Sequence, residues 1–172
     1  MTTTLKKFFL SLLGAGAIAS TCHAELTLLF REDWAEIPFA LPITQEHVAN
    51  PDLQLHLYGG AVDYLKKSNH DNIPNDPYYV WSGEIRDTAN WAATLGFKDG
   101  TVMDLTGEAS IRWRTRQSGE HCLRVVLRLV GGYWLISGPL DCESADWQVT
   151  GHRFSRLTWV RLEAGELDFA NI

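Results

Sequence analysis

The stretch that decides the fold is Ile111-Arg112-Trp113-Arg114-Thr115-Arg116, in which apolar or neutral residues alternate strictly with arginines. A period of two residues is typical of a β-strand with one buried and one exposed face. The polar turn Gln117-Ser118-Gly119-Glu120 follows, and residues 123–129 then alternate in the same way. Gly131-Gly132 is a hairpin signal, so residues 133–136 are predicted to begin a return strand.

The same kind of signal recurs on both sides of this stretch. Further strands are predicted at residues 26–30, 52–58, 79–81, 91–97, 101–105, 147–149 and 157–162, with one short helix at residues 44–49. Short strands interrupted by Gly, Pro, Ser and Asp, without a long helical period, favour a sandwich or barrel. We therefore predict an all-β fold, a single antiparallel β-sandwich that is jelly-roll-like and forms one domain over residues 25–172.

The N-terminus has the pattern of a secretory signal. Lys6 and Lys7 precede an apolar run at residues 8–19, and small or polar residues follow up to Ala24. These features predict a signal peptide at residues 1–24 and a protein exported to the periplasm or the extracellular space. The alternative is a lipoprotein anchored through Cys22. The apolar run is shorter than a bilayer span, which takes about 20 residues, so no membrane span is predicted.

Charge is distributed unevenly along the chain. The 172 residues have a net charge of −6, which becomes −8 when two lysines are removed with the signal. Residues 25–110 hold five basic and fourteen acidic residues, whereas residues 111–161 hold eight arginines, no lysine and four acids. The overall acidity argues against a nucleic-acid partner. Arginine without lysine indicates planar, stacking or bidentate contacts rather than general positive charge.

Removal of the predicted signal peptide leaves two cysteines, Cys122 and Cys142. An even number of cysteines in an exported protein is typical of disulfide pairing in an oxidising compartment. If the hairpin pairs Leu129 with Leu135, the same register places the two cysteines opposite each other. Directly opposed residues have Cβ atoms about 4.5–5.5 Å apart, which is close to disulfide distance. A bulge at Pro139 is expected to shift the register locally. We predict a disulfide, and the lack of a Cys-x-x-Cys motif argues against a redox role.

The arginines of this region form the first candidate ligand site. Five side chains are predicted on the non-core side of one sheet: Arg112, Arg114, Arg116, Arg124 and Arg128. Guanidinium groups interleaved with tryptophan suit a saccharide, particularly one that carries carboxylate or sulfate groups. The alternative is a solvated sheet face whose arginines pair with the acidic half of the chain.

The second candidate site is a polar loop at residues 63–77 with an aromatic exit. Its candidate ligand-binding residues are His70, Asp71, Tyr78, Tyr79 and Trp81. Aromatic rings stack on the apolar faces of sugars, while amides and carboxylates bind the sugar hydroxyl groups. The oxygen-rich loop also allows Ca²⁺ as a ligand, although it lacks the glycine and the terminal glutamate of an EF-hand. In a third interpretation the rings fill the core and the loop caps its own turns.

Three acidic residues near the second cysteine are candidates for catalysis: Asp141, Glu143 and Asp146. Glycosidases use two carboxyl groups, and alternate residues of a strand project from one face. The spacing faintly resembles the Glu-x-Asp-x-x-Glu strand of laminarinase-like glycosidases, but the acid types are interchanged and a predicted disulfide lies between them. The alternative is a solvated loop. No hydrolase elbow, metal-binding helix or phosphate loop occurs, so no metal site and no cofactor are predicted.

Four stretches carry a family resemblance: residues 70–83, Asp104-Leu105-Thr106-Gly107, Ile111-Arg112-Trp113-Arg114 and Glu143-Ser144-Ala145-Asp146-Trp147. They resemble an uncharacterised group of secreted bacterial proteins that is similar to carbohydrate-binding or concanavalin-like jelly rolls, including those near keto-disaccharide hydrolases. The Phe-Asn-Gly-Lys-Asp opening of the hydrolase domains is replaced here by Phe30-Arg31-Glu32-Asp33-Trp34. The resemblance spans residues 28–162 and implies glycan association rather than a known reaction.

The sequence therefore predicts an exported β-sandwich that binds a carbohydrate or cell-envelope glycan, with a saccharide or an acidic glycan as its partner. Two alternatives stay open. One is a glycan-active hydrolase or lyase that uses aspartate or glutamate side chains. The other is a structural or interaction domain whose arginine-rich face binds an acidic partner.

Overall fold

The computed structural model describes residues 27–37, 41–68, 78–82, 91–119 and 121–162, and these ranges are all-β, as predicted. The strands are β1 (Leu53–Tyr58), β2 (Leu65–Ser68), β3 (Tyr79–Ser82), β4 (Ala92–Phe97), β5 (Ser110–Thr115), β6 (Val126–Arg128), β7 (Trp134–Ser137), β8 (Gln148–Arg153) and β9 (Trp159–Leu162). Single 3-10 turns lie at Gln45–His47, Val62–Tyr64 and Phe154–Arg156. The predicted signal peptide at residues 1–24 lies outside the described ranges.

All of these strands pair in antiparallel fashion. Three sheets have two strands each, namely β1–β4, β2–β3 and β5–β8, and the fourth has the order β6–β7–β9. The pairs β1–β4 and β5–β8 join strands that are far apart in the sequence. Within the described residues, no helix has the length and apolar character needed to cross a membrane.

A cluster of aliphatic side chains packs beneath β1. Leu53 and Leu55, on the inner side of the strand, contact Ile43, Val48 and Leu65, and each of the five is 9% exposed or less. The residues that alternate with them on the strand are more exposed, which confirms the predicted period of two. Apolar burial stabilises the folded chain by about 25 cal/mol for each Å² removed from water.

Gln45 holds the short helical turn against β1. Its Nε2 donates to the carbonyl O of Leu53 (2.9 Å), and its Oε1 accepts from the backbone N of Leu55 (2.7 Å). The amide side chain thus satisfies backbone groups on the side of β1 that faces away from β4. The helix predicted at residues 44–49 is reduced to one 3-10 turn, Gln45–His47.

The β6–β7 hairpin is present, but its register differs from the expected one. Leu127 lies opposite Leu135, and the backbone N of Leu129 donates to the carbonyl O of Tyr133 (2.8 Å). The hairpin loop ends at Gly132, which has a φ of 81°. A left-handed glycine at the end of the loop is typical of three-residue hairpin connections. The expected pairing of Leu129 with Leu135 is therefore wrong by two residues.

The predicted disulfide between Cys122 and Cys142 is nevertheless confirmed. Beyond the hairpin the pairing shifts by two residues. The hydrogen bond from the backbone N of Leu123 to the carbonyl O of Asp141 (3.0 Å) shows this new register. The shift occurs around Pro139, where the sequence predicts a bulge. It returns the two cysteines to opposite positions, with Cα atoms 4.1 Å apart.

Other segments differ from the predicted secondary structure. No described residue of the strands predicted at residues 26–30 and 101–105 is in a strand. Residues 65–68, expected in a polar loop, form β2 instead and bury Lys67 completely. The Lys67 Nζ donates to the backbone carbonyl of the next residue (2.7 Å) and lies 4.7 Å from the ring centroid of Tyr78. These contacts offset part of the cost of burying the charge.

Candidate functional site

The arginine-rich strand β5 pairs along its whole length with β8. Arg112 lies opposite Gly151 and Arg114 opposite Val149, and these four residues face solvent. The residues that alternate with the arginines are partly buried, so the predicted alternation of the strand is confirmed. We call the solvent side of the pair the outer face; its residues are Ser110, Arg112, Arg114, Val149, Gly151 and Arg153.

Arg124 and Arg128 do not belong to the outer face, so the expected grouping of five arginines on one sheet is wrong. Strand β6 pairs with β7 in a separate sheet, where the Arg128 guanidinium lies 5.9 Å from the ring centroid of Trp134. The cause is the course of the chain after β5. The backbone N of Ser144 donates to the O of Gln117 (2.8 Å), and the Ser144 Oγ accepts from the N of Gln117 (3.1 Å). The chain leaving β5 is therefore paired with the segment before β8 and does not turn back into β6.

Two aromatic rings meet at one end of the outer face. The rings of Tyr79 and Trp147 contact edge to face, with centroids 5.0 Å apart and planes at 62°. The guanidinium of Arg114 lies over the Trp147 ring, 5.5 Å from its centroid. We call these three residues the aromatic cluster. Tyr79 and Arg114 are predicted site residues, whereas Trp147 is not, although it lies directly before β8 and two residues before Val149.

The other predicted aromatic residues lie beside lysines of β2. Trp81 is 43% exposed and is opposite Lys66, whose Nζ is 4.8 Å from the centroid of a Trp81 ring. The Tyr78 ring covers the buried ammonium group of Lys67. Cation–π contacts contribute about 0.5–1 kcal/mol at exposed sites and more when desolvated. These two rings therefore have a stabilising role in addition to any ligand contact.

Asp141 lies on the inner side of the β5–β8 pair, where it contacts four side chains. Its Oδ2 accepts hydrogen bonds from Nε1 of Trp113 (2.6 Å), Oγ1 of Thr150 (2.5 Å) and Oγ1 of Thr115 (3.1 Å). Its Oδ1 lies 3.2 Å from Nε2 of His152, and the Asp141 side chain is only 12% exposed. These contacts hold the segment after β7 against two strands of another sheet.

The surroundings of Asp141 favour the ionised carboxylate. Burial on its own raises the pKa of a carboxyl group. Here the donated hydrogen bonds, first that of Thr150, together with the electrostatic contribution of His152, outweigh burial and lower the pKa of Asp141. A general acid for glycoside cleavage needs a raised pKa. This environment therefore suits a structural role.

The remaining candidates from the sequence do not join this group. Glu143 and Asp146 face solvent. Within the described ranges, no three side chains of His, Cys, Asp or Glu come together in a way that could hold a metal ion. His70 and Asp71 lie outside the described residues, as does the whole of residues 69–77 of the loop considered for Ca²⁺.

Comparison with known proteins identifies no relative: the chain matches no protein-family model, no curated protein and no solved structure. The described residues define an all-β protein with several antiparallel sheets and one disulfide between Cys122 and Cys142. The resemblance to concanavalin-like jelly rolls stays a prediction.

Proposed function

We propose that this protein is an exported β-sandwich that binds a carbohydrate or cell-envelope glycan on the outer face of the β5–β8 pair. The observation that carries the proposal is the aromatic cluster, in which Tyr79, Trp147 and Arg114 come together from three distant segments. Aromatic rings offer a stacking surface for the apolar face of a sugar. The exposed guanidinium of Arg112, two residues before Arg114 on the same face, offers planar hydrogen-bond donors for hydroxyl or carboxylate oxygens.

Three further observations support the sandwich fold and export from the cytoplasm. Tyr58 of β1 contacts Trp134 of β7 edge to face, with ring centroids 5.2 Å apart, as expected where two sheets pack against each other. A disulfide is typical of proteins outside the reducing cytoplasm. Lys6 and Lys7, with the apolar run at residues 8–19, match the pattern of an export signal.

The proposal is binding without catalysis. The alternative is a hydrolase or lyase that uses aspartate or glutamate side chains, and Asp141, whose pKa is lowered by its hydrogen bonds, lies on the side of the β5–β8 pair opposite the outer face. A structural or interaction domain is the second candidate function. It is favoured by the exposure of Arg112 and Arg114, which would also attract an acidic protein surface.

A glycan array probed with the purified protein tests the proposal. The expected result is binding to at least one glycan, with ligand-dependent tryptophan fluorescence and no release of product. A blank array contradicts the proposal. Release of reducing sugar or unsaturated product would identify an enzyme. Salt-sensitive association with an acidic protein, lost in the Arg112→Ala/Arg114→Ala variant, would identify an interaction domain.

A further inference from the structure

The outer face continues beyond the aromatic cluster as a row along the two strands. The row begins with Trp147, directly before β8, and continues along β8 with Val149, Gly151 and Arg153; Arg114 and Arg112 lie beside them on β5. Residues on one side of a strand follow each other at about 6.7 Å, so the row from Trp147 to Arg153 is about 20 Å long. A surface of this length can contact several consecutive units of a sugar chain.

Gly151 leaves the middle of this row open. It lies opposite Arg112, and a Cβ atom at this position would meet only the carbonyl O of Ile111, at 3.9 Å. A glycine inside a strand marks a bulge, a tight bend, or a place where a ligand or another backbone approaches closely. The neighbouring position on the same side is filled by Val149, which is 54% exposed. Gly151 therefore provides a shallow floor between Arg112 and Arg153.

The row is rich in arginine although the whole chain has a net charge of −6. Arg112, Arg114 and Arg153 lie along it. Glu108 pairs with Arg153 at 2.6 Å, but both side chains are about half exposed or more, and such exposed pairs contribute little to stability. Guanidinium groups concentrated on one surface of an acidic protein favour an anionic ligand.

We infer that the outer face binds a linear acidic glycan that runs along the β5–β8 pair, with one sugar ring on Trp147 and acidic groups on Arg112 and Arg153. The inference rests on the proposed glycan binding at the aromatic cluster and adds the charge and the direction of the ligand. The acidic group can be a carboxylate or a sulfate, because both present several oxygens to the planar N–H donors of a guanidinium.

Two pairs of probes that differ in charge test the inference by titration calorimetry on the purified protein. Oligogalacturonate is compared with its methyl ester for carboxylates, and dextran sulfate is compared with dextran for sulfates. We expect at least one charged probe to bind about tenfold or more tightly than its uncharged counterpart at low salt. The affinity for that probe should fall as the ionic strength rises.

Variants locate the ligand on the row. Arg112→Gln and Arg153→Gln should each lower the affinity for the charged probe several-fold and leave the affinity for the uncharged probe unchanged. Gly151→Val should lower the affinity for both probes of the pair, because the valine side chain fills the space above the backbone. Gly96→Val is the matched control, since Gly96 is also a strand glycine with open space around it but lies on β4. Circular dichroism verifies that each variant is folded.

The outcomes separate this inference from the proposed function. Equal affinity for the charged and uncharged members of both pairs would overturn the acidic-glycan inference and leave glycan binding intact. No binding of any of the four probes would overturn the inference, and a blank array in addition would overturn the proposed function. Charge-dependent binding that Arg112→Gln and Arg153→Gln both leave unchanged would place the ligand elsewhere and also overturn the inference.

Discussion

The indole Nε1 of Trp113 donates a 2.6 Å hydrogen bond to Oδ2 of Asp141. Trp113 lies on β5, whereas Asp141 lies between β7 and β8, next to the disulfide-bonded Cys142. The bond therefore joins the β5–β8 pair to the covalently closed segment at the end of the β6–β7 hairpin. Because the outer face is the opposite side of the same two strands, the Asp141 carboxylate supports the proposed binding surface from behind.

Replacing Asp141 by asparagine should lower the free energy of unfolding by about 1–3 kcal/mol. The substitution removes the charge that strengthens the hydrogen bonds from Trp113 and Thr150. Chemical denaturation at neutral pH measures the change. Asp146→Asn, at an exposed position in the same segment, is the control and should stay within about 0.5 kcal/mol of the wild type. Equal effects of the two substitutions would contradict a structural role for Asp141.

Stability should decrease as the pH falls below about 4, the pKa of an unfolded aspartate. The pKa of Asp141 is lower in the folded protein, so its contribution is complete above the unfolded value and is lost as the pH falls through the folded value. The difference in unfolding free energy between the wild type and Asp141→Asn should therefore narrow in acid. Denaturation curves from neutral to strongly acidic pH measure this difference, and a constant difference would refute the pKa argument.

Removing the disulfide should lower the free energy of unfolding by roughly 3 kcal/mol. Cys122 and Cys142 are 20 residues apart, and the crosslink restricts the unfolded chain over that loop. The test compares the wild type with the Cys122→Ser/Cys142→Ser variant by denaturation, with and without a reductant. The reductant should destabilise the wild type alone. Equal destabilisation of both proteins would show that the effect does not come from this bond.

Gly132→Ala should destabilise the protein by about 1–2 kcal/mol, because the residue has a φ of 81° in the left-handed region. Gly138→Ala is the matched control. Gly138 lacks a positive φ and has no heavy atom within 4 Å of an added Cβ, so its substitution should be close to neutral. Thermal unfolding of both variants measures the contrast. Similar melting temperatures would argue against the left-handed turn in the hairpin.

Features that depend on residues close together in the sequence were predictable. The two faces of β5 follow from strict alternation, and the disulfide follows from hairpin geometry, although the register around Leu129 is wrong. The partner of β5 was not predictable, because β8 lies far along the chain and long-range pairing depends on how all segments pack. Strand β2 was missed since Lys67 is buried, which composition alone does not indicate.

The sequence allowed two residues of the candidate site to be selected, but it did not show which residues come together in space. Tyr79 stands out as an aromatic residue at the exit of a polar loop, and Arg114 as an arginine in a strictly alternating stretch. Trp147 follows three acidic residues within seven positions, which indicates a solvated loop rather than a binding surface. Its contact with Tyr79 requires that β3 and β8 come close, and no local pattern contains that information.

The most direct test of glycan binding at the aromatic cluster is calorimetric titration of Trp147→Ala with a glycan selected on the array. We predict that this variant loses about tenfold or more in affinity. Trp147→Phe should retain most of the affinity because it keeps a ring. Tyr133→Ala, which removes a 49% exposed ring from the β6–β7 hairpin, should bind like the wild type. Wild-type affinity in a folded Trp147→Ala variant would contradict the proposed site.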